Sequence, residues 1–93
     1  MDACLRGFRI KLDLSELICG EMTRSWYYVD RSSCKTIDHL KRMIAARFQL
    51  QCQASEFDVR LQDFIVPSDE SIDILQPEDL LIVRYKIYKL FSV

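Results

Sequence analysis

Residues 36–48 read Thr-Ile-Asp-His-Leu-Lys-Arg-Met-Ile-Ala-Ala-Arg-Phe, and their spacing decides the fold. Ile37, Leu40, Met43, Ile44 and Phe48 recur at three- and four-residue intervals, which gathers them on one side of an α-helix. Lys41, Arg42 and Arg47 are expected on the far side. Thr36, a short hydroxyl side chain just before the first apolar position, is the expected N-cap. One helix with one apolar stripe needs a surface to cover, and the segments on either side of it read as strands.

Upstream, residues 7–14 alternate, with Phe8, Ile10, Leu12 and Leu14 on one side and Arg9, Lys11 and Asp13 on the other, the pattern of a half-buried strand. Residues 15–23 contain Gly20 and several polar side chains and form a turn or hairpin loop. Residues 24–29, Arg-Ser-Trp-Tyr-Tyr-Val, have the aromatic and β-branched content of a second strand, and a polar loop follows at 30–35. Downstream, residues 57–61 make a third strand with Phe57, Val59 and Leu61 inward. Gln62-Asp63 turns the chain into a short strand, 64–66, that Pro67 ends. Residues 68–75 suit one helical turn begun by Ser68, Gln76-Pro77-Glu78-Asp79 is a turn, and residues 80–88 are the last strand. A first hairpin, a crossover helix and a last strand returning beside the first define a β-grasp, and the right-handed crossover lays the helix across one sheet face. The expected architecture is α+β: a ubiquitin-like β-grasp with a mixed sheet of four to five strands and one main helix on one face. Residues 1–93 are expected to form a single domain.

Composition narrows the function. A hydrophobic fraction of 49%, two glycines and two prolines suit an ordered domain, and a net charge of −1 gives no overall pull toward nucleic acid or membrane. Cys4, Cys19, Cys34 and Cys52 form no Cys-x-x-Cys pair, and the single His39 has no cysteine near it in sequence, so no metal or cofactor is expected. The first eleven residues already alternate charged and apolar side chains instead of resembling a signal peptide, so reduced thiols in an intracellular compartment are expected. Apolar runs of four or five residues are far too short for a membrane span. His39 lacks a partner for general-base work, Gly7 and Gly20 cannot build a phosphate loop, and no terminal Gly-Gly serves conjugation. No enzyme is expected.

Charge is segregated along the chain. Residues 56–79 hold eight acids against Arg60 alone, while residues 80–93 hold three Lys/Arg and no acid. If the first and last strands are neighbours, outward parity places Arg9 and Lys11 beside Arg84 and Lys86, a basic patch on the helix-free face. Asp69, Glu70, Asp73 and Asp79 then offer a complementary acidic patch on another side of the domain. Two complementary surfaces on one molecule suit heterologous, front-to-back association. The same four basic residues, flanked by Tyr88, are the candidates for holding a short single-stranded nucleic acid, against which stand the near-neutral charge and the lack of a glycine–aromatic RNA-binding motif. Alternation leaves the facing of strand two open. With Tyr27 and Val29 toward the helix, Trp26 and Tyr28 are exposed interface anchors on an edge strand; with the opposite parity Trp26 is in the core.

Individual residues then become recognisable. Trp-Tyr-Tyr-Val-Asp at 26–30, the basic loop containing Cys34, the helix end Ala-Arg-Phe at 46–48 and Val-Pro-Ser-Asp-Glu-Ser-Ile-Asp-Ile-Leu at 66–75 resemble the N-terminal domain of coilins, scaffold proteins of nuclear Cajal bodies. The opening strand, with Arg9 and Lys11 alternating with large aliphatics, matches as well, and the resemblance runs from about residue 8 to 88. It implies a β-grasp domain that self-associates and helps assemble a nuclear body, with itself and other nuclear-body proteins as partners. It also implies the N-terminal piece of a longer protein with a disordered basic middle and a Tudor-like C-terminal domain. Self-association through complementary charged surfaces is the first expectation. The alternative is a monomeric ubiquitin-like adaptor that binds another protein or, failing that, RNA.

Overall fold

The computed structural model describes residues 7–18 and 20–86. Strand β1 (Gly7–Asp13) pairs antiparallel with β2 (Arg24–Asp30) and parallel with β5 (Leu80–Tyr85). Strand β3 (Phe57–Leu61) pairs antiparallel with β5 and with the two-residue β4 (Phe64–Ile65). The five-stranded sheet therefore runs β2-β1-β5-β3-β4, with the first and last strands adjacent and β2 and β4 at its edges. Helix α1 (Ile37–Arg47) packs on one face. This is the β-grasp arrangement.

Each strand divides its side chains between core and solvent by parity. Ile10, Leu12, Leu14, Val29, Phe57, Val59, Leu81 and Val83 are almost wholly buried against Ile37, Leu40 and Ile44 of the helix. Burying twelve large side chains at under 2% exposure gives a 93-residue chain the continuous core that its size demands. Tyr27 faces the same side half-buried, its ring centroid 6.4 Å from that of Phe48, and burial pushes its phenol pKa up. Trp26 and Tyr28 consequently point away from the helix.

Local chemistry sets the connections. Thr36 caps α1 by accepting a hydrogen bond from the His39 N–H at 3.2 Å. Gln62 and Asp63 both adopt left-handed φ, 53° and 72°, the signature of a two-residue type I′ hairpin between β3 and β4. Strand β4 stops at Ile65, one residue earlier than the sequence suggests, although the Val66 N–H still reaches the Val59 carbonyl at 2.9 Å. The single turn beyond it is a 3₁₀ turn, Ile72–Ile74, and its cap is Ser71, whose hydroxyl accepts from the Asp73 N–H, not Ser68. The expected continuation of the last strand to residue 88 lies partly outside the described residues, as do Cys4, Cys19 and Tyr88. Cys34 is buried and Cys52 half-buried.

Lys41 departs from expectation. It is 2% exposed and lies on the packed side of α1, not on the far side. The reason is spacing: position 41 is four residues after Ile37 and three before Ile44, which puts it on the apolar stripe itself. Its Nζ donates to Ser68 Oγ at 2.8 Å and lies 5.7 Å from the centroid of the Phe57 ring. Desolvation by burial, followed by repulsion from Lys86, holds its pKa below the usual lysine value.

Candidate interaction surface

The helix-free face is written by cross-strand pairs. Arg9 stands directly opposite Tyr28, Lys11 opposite Trp26, and Asp13 opposite Arg24. Trp26 is 51% exposed and Tyr28 62%, both on the edge strand. The Arg9 guanidinium lies 4.5 Å from the centroid of the Trp26 ring and Lys11 Nζ 5.4 Å from it, so two cations lie near the indole. The Tyr28 ring lies back across β1 over Gly7. A Cβ at Gly7 would sit 2.0 Å from the Tyr28 hydroxyl oxygen and 2.8 Å from the Val29 carbonyl oxygen, so only glycine leaves that seat open.

The turn before β5 borders this basic and aromatic surface. Glu78, in a left-handed conformation at φ 70°, donates its N–H to the Arg9 carbonyl at 2.7 Å and places its carboxylate 3.6 Å from the Arg9 guanidinium. The Lys11 N–H donates to the Asp79 carbonyl at 2.8 Å, while Asp79 Oδ2 accepts from the Gln76 N–H. Both side chains of the Arg9–Glu78 pair are well exposed, so the contact adds orientation more than stability.

The four predicted basic residues do not form one patch. Strands β1 and β5 run parallel in a register that sets Lys11 beside Leu80 and Asp13 beside Ile82. Arg84 is four positions beyond Leu80, about 13 Å along the strand at ordinary strand rise. There it meets Glu16 at 2.9 Å, past the end of β1, and stands opposite Asp58 of β3. Lys86 follows at the end of the described chain, its N–H on the Glu56 carbonyl. Outward parity was legible; the offset between two parallel strands far apart in sequence was not. Lys11 has Leu80 for its neighbour and Arg9 has Glu78, not Arg84 and Lys86.

The acidic set divides too. Asp69, Glu70 and Asp73 lie in the loop that packs on the start of α1, where the Ile37 N–H donates to the Glu70 carbonyl and the Asp38 N–H to the Ser68 carbonyl. Asp73 Oδ1 is 3.1 Å from Arg31 Nε. Asp79 is elsewhere, beside Lys11 on the border of the basic surface. Sequence reasoning also passed over Arg24 and Asp30 at the two ends of β2, and Phe64 and Ile65, 75% and 50% exposed on the opposite edge.

His39 is exposed and its Nδ1 accepts from the Lys35 N–H. Burial pushes the Cys34 thiol pKa up, away from thiolate character. Among the described residues no cluster of His, Cys, Asp and Glu is arranged to hold a metal, and no helix is long and apolar enough to cross a membrane.

Comparison with known families settles the kinship of this face. The family described as "Coilin N-terminus" matches residues 9–90. The chain belongs to the coilin N-terminal family. That match takes in Arg9, Lys11, Trp26, Tyr28, Glu78 and Asp79 of the surface just described. Solved structures agree on the fold. A ubiquitin of Caldiarchaeum subterraneum is similar at TM-score 0.62 and 10% identity, over 86% of this chain and 94% of that one. The N-terminal ubiquitin-like domain of the 4931431F19Rik protein is similar at TM-score 0.64 and 10% identity, over 87% and 76%. A chain of a pParkin–pUb–UbcH7 complex aligns at TM-score 0.63 and 13% identity, over 87% of this chain and 23% of that one. The coilin N-terminal chain is thus a ubiquitin-like β-grasp. The comparison with curated proteins returns no match.

Proposed function

We propose that this coilin N-terminal domain is a non-enzymatic self-association module that helps assemble a nuclear body, and that its outer β1–β2 face carries the contact. The observation that bears most weight is the pair Trp26 and Tyr28, exposed on an edge strand and backed by Arg9 and Lys11. Large aromatics with adjacent cations are the side chains that anchor protein interfaces, because they bury much area at small entropic cost. Asp69 and Glu70, exposed on the loop at the start of α1, supply the opposite charge on a neighbouring copy. Charge of this kind steers encounter and sets orientation, so assembly weakens as salt is raised. Sedimentation across concentration and ionic strength tests the proposal. Mass that grows with concentration and falls with salt supports it. A constant monomer mass refutes it and leaves the adaptor role.

A further inference from the structure

The two edges of the sheet are treated differently. Strand β4 is two residues long and is followed closely by Pro67, which blunts it. Strand β2 is seven residues long, Arg-Ser-Trp-Tyr-Tyr-Val-Asp, with no proline, glycine or lysine, and no other described strand pairs with its outer side. Which backbone groups face outward follows from the ladder. The Leu14 N–H donates to the Thr23 carbonyl, whereas the Lys11 N–H and the Arg9 carbonyl are engaged on the other side, by Asp79 and Glu78. The even residues of β1 therefore bond toward β2, and in the β1–β2 register their partners are the odd residues of β2. The N–H and C=O groups of Arg24, Trp26 and Tyr28 are left pointing at the open edge. The Trp26 and Tyr28 rings lean back over Arg9 and Gly7, so they leave that edge uncovered.

This strand is self-complementary. Set antiparallel to a second β2 with a two-fold axis at Tyr27, it places Arg24 opposite the partner's Asp30 at both ends, and Trp26 opposite the partner's Tyr28 on both sides of the axis. The outward-facing residues are the ones that pair, so Trp26 and the partner's Tyr28 exchange both hydrogen bonds. All four side chains lie on the helix-free face in each copy. The Asp30 carbonyl already accepts from Ser33 and Cys34, which stops the ladder there and limits the contact to the strand itself. We infer that two copies of this chain join through antiparallel pairing of their β2 edges, in the register that sets Arg24 against Asp30 and Trp26 against Tyr28, making one continuous ten-stranded sheet from two five-stranded ones. The inference rests on the self-association reading and names its interface.

The test uses the full 93-residue chain, and Trp26, its only tryptophan, reports the contact directly. Sedimentation equilibrium and a dilution series of Trp26 fluorescence give the dimer constant. Tyr28→Pro removes an outward N–H and is sterically tolerated at an edge, so it should abolish the dimer while keeping the far-UV circular dichroism. Arg24→Asp and Asp30→Arg each set like charges together at both ends and should weaken self-association about tenfold. Mixing those two single variants restores opposite charge at both ends, so a heterodimer should form where neither variant dimerises well. If Tyr28→Pro unfolds, the charge variants and their mixture decide the matter. Wild-type chain that associates while all three variants associate equally well overturns β2 pairing and leaves self-association standing. Wild-type chain that stays monomeric at every concentration, or takes up only foreign strands, overturns both.

Discussion

Replacing Lys41 by methionine tests how this fold balances burial against charge. The lysine is 2% exposed, its one described hydrogen bond goes to Ser68 Oγ at 2.8 Å, and its nearest ring is Phe57 at 5.7 Å. Methionine keeps the length and apolar body of the stem and removes the ammonium. Two changes oppose each other. The desolvation penalty disappears, and the hydrogen bond to Ser68 is lost. Ser68 is half exposed, so water takes over its hydroxyl and the lost bond costs little. Removing a buried charge for an apolar side chain of similar volume stabilises by about 1 kcal/mol at the low end of such replacements, which raises Tm by roughly 4–8 °C in a domain of this size. The pH dependence carries the sharper check. Because the folded-state pKa of Lys41 lies below its unfolded value, the charged form is disfavoured by folding, and the penalty is complete below the folded pKa. As pH rises through the folded pKa toward the unfolded one, the unfolded chain holds the proton longer, so the wild type gains stability and the advantage of Lys41→Met shrinks. Urea melts of both proteins at a series of pH values from neutral to alkaline measure the difference. A variant less stable than wild type by about 1 kcal/mol at neutral pH, or an advantage that grows with pH, would refute desolvation as the dominant effect on Lys41.

Three further outcomes follow from the same geometry. Thr36→Ala removes the acceptor for the His39 N–H and should lower stability by about 1 kcal/mol, seen as an earlier urea midpoint with an unchanged slope. Cys34, buried and with its thiol pKa pushed up, should react with iodoacetamide far more slowly than half-buried Cys52 in the folded chain, and equally fast in denaturant; peptide mapping by mass spectrometry reads both. Arg9→Glu takes one cation off the Trp26 ring and puts like charge beside Glu78, so it should weaken self-association by sedimentation while leaving the circular dichroism intact.

Much of the fold was legible because it rests on local periodicity. The stripe Ile37, Leu40, Ile44 and the alternation Phe8, Ile10, Leu12 each encode one face of one element, and neighbours along the chain are enough to read them. The cap at Thr36 is equally local. What escaped is non-local or depends on a second pattern overlaid on the first. The offset of β5 against β1 is set by how the crossover and the 76–79 turn deliver Leu80 beside Lys11, and no residue of either strand records that offset. An error of this kind keeps each side chain on its face but changes its neighbours, which is why Arg84 was assigned to Arg9 and Lys11 and is found with Glu16. Lys41 was misread for a different reason. Its charge outweighed its position in the stripe, although a long stem can follow an apolar surface and deliver its ammonium to a hydroxyl at the rim. The acidic run failed as a unit because one turn carries Asp79 to β1 while the loop before it holds Asp69, Glu70 and Asp73 at the helix.

The β2 contact bears on how large an assembly this domain can reach. Pairing of two β2 edges is isologous: each copy uses its long β2 edge, and the contact closes at two. Growth beyond a pair then needs a second surface that differs from its target, and the separation of charge found here is of that kind. Arg9 and Lys11 lie on the sheet face and Asp69 and Glu70 on the loop at the helix start, so one copy's basic side can engage another's acidic side without exhausting either molecule. The two contacts respond to salt in opposite measure. Backbone pairing and stacked aromatics persist at high ionic strength, where Coulomb attraction between exposed groups is screened within about 8–10 Å or less. Raising salt should therefore reduce large assemblies to dimers before dimers to monomers, and Tyr28→Pro should remove the dimer plateau from that titration while leaving a single salt-sensitive step.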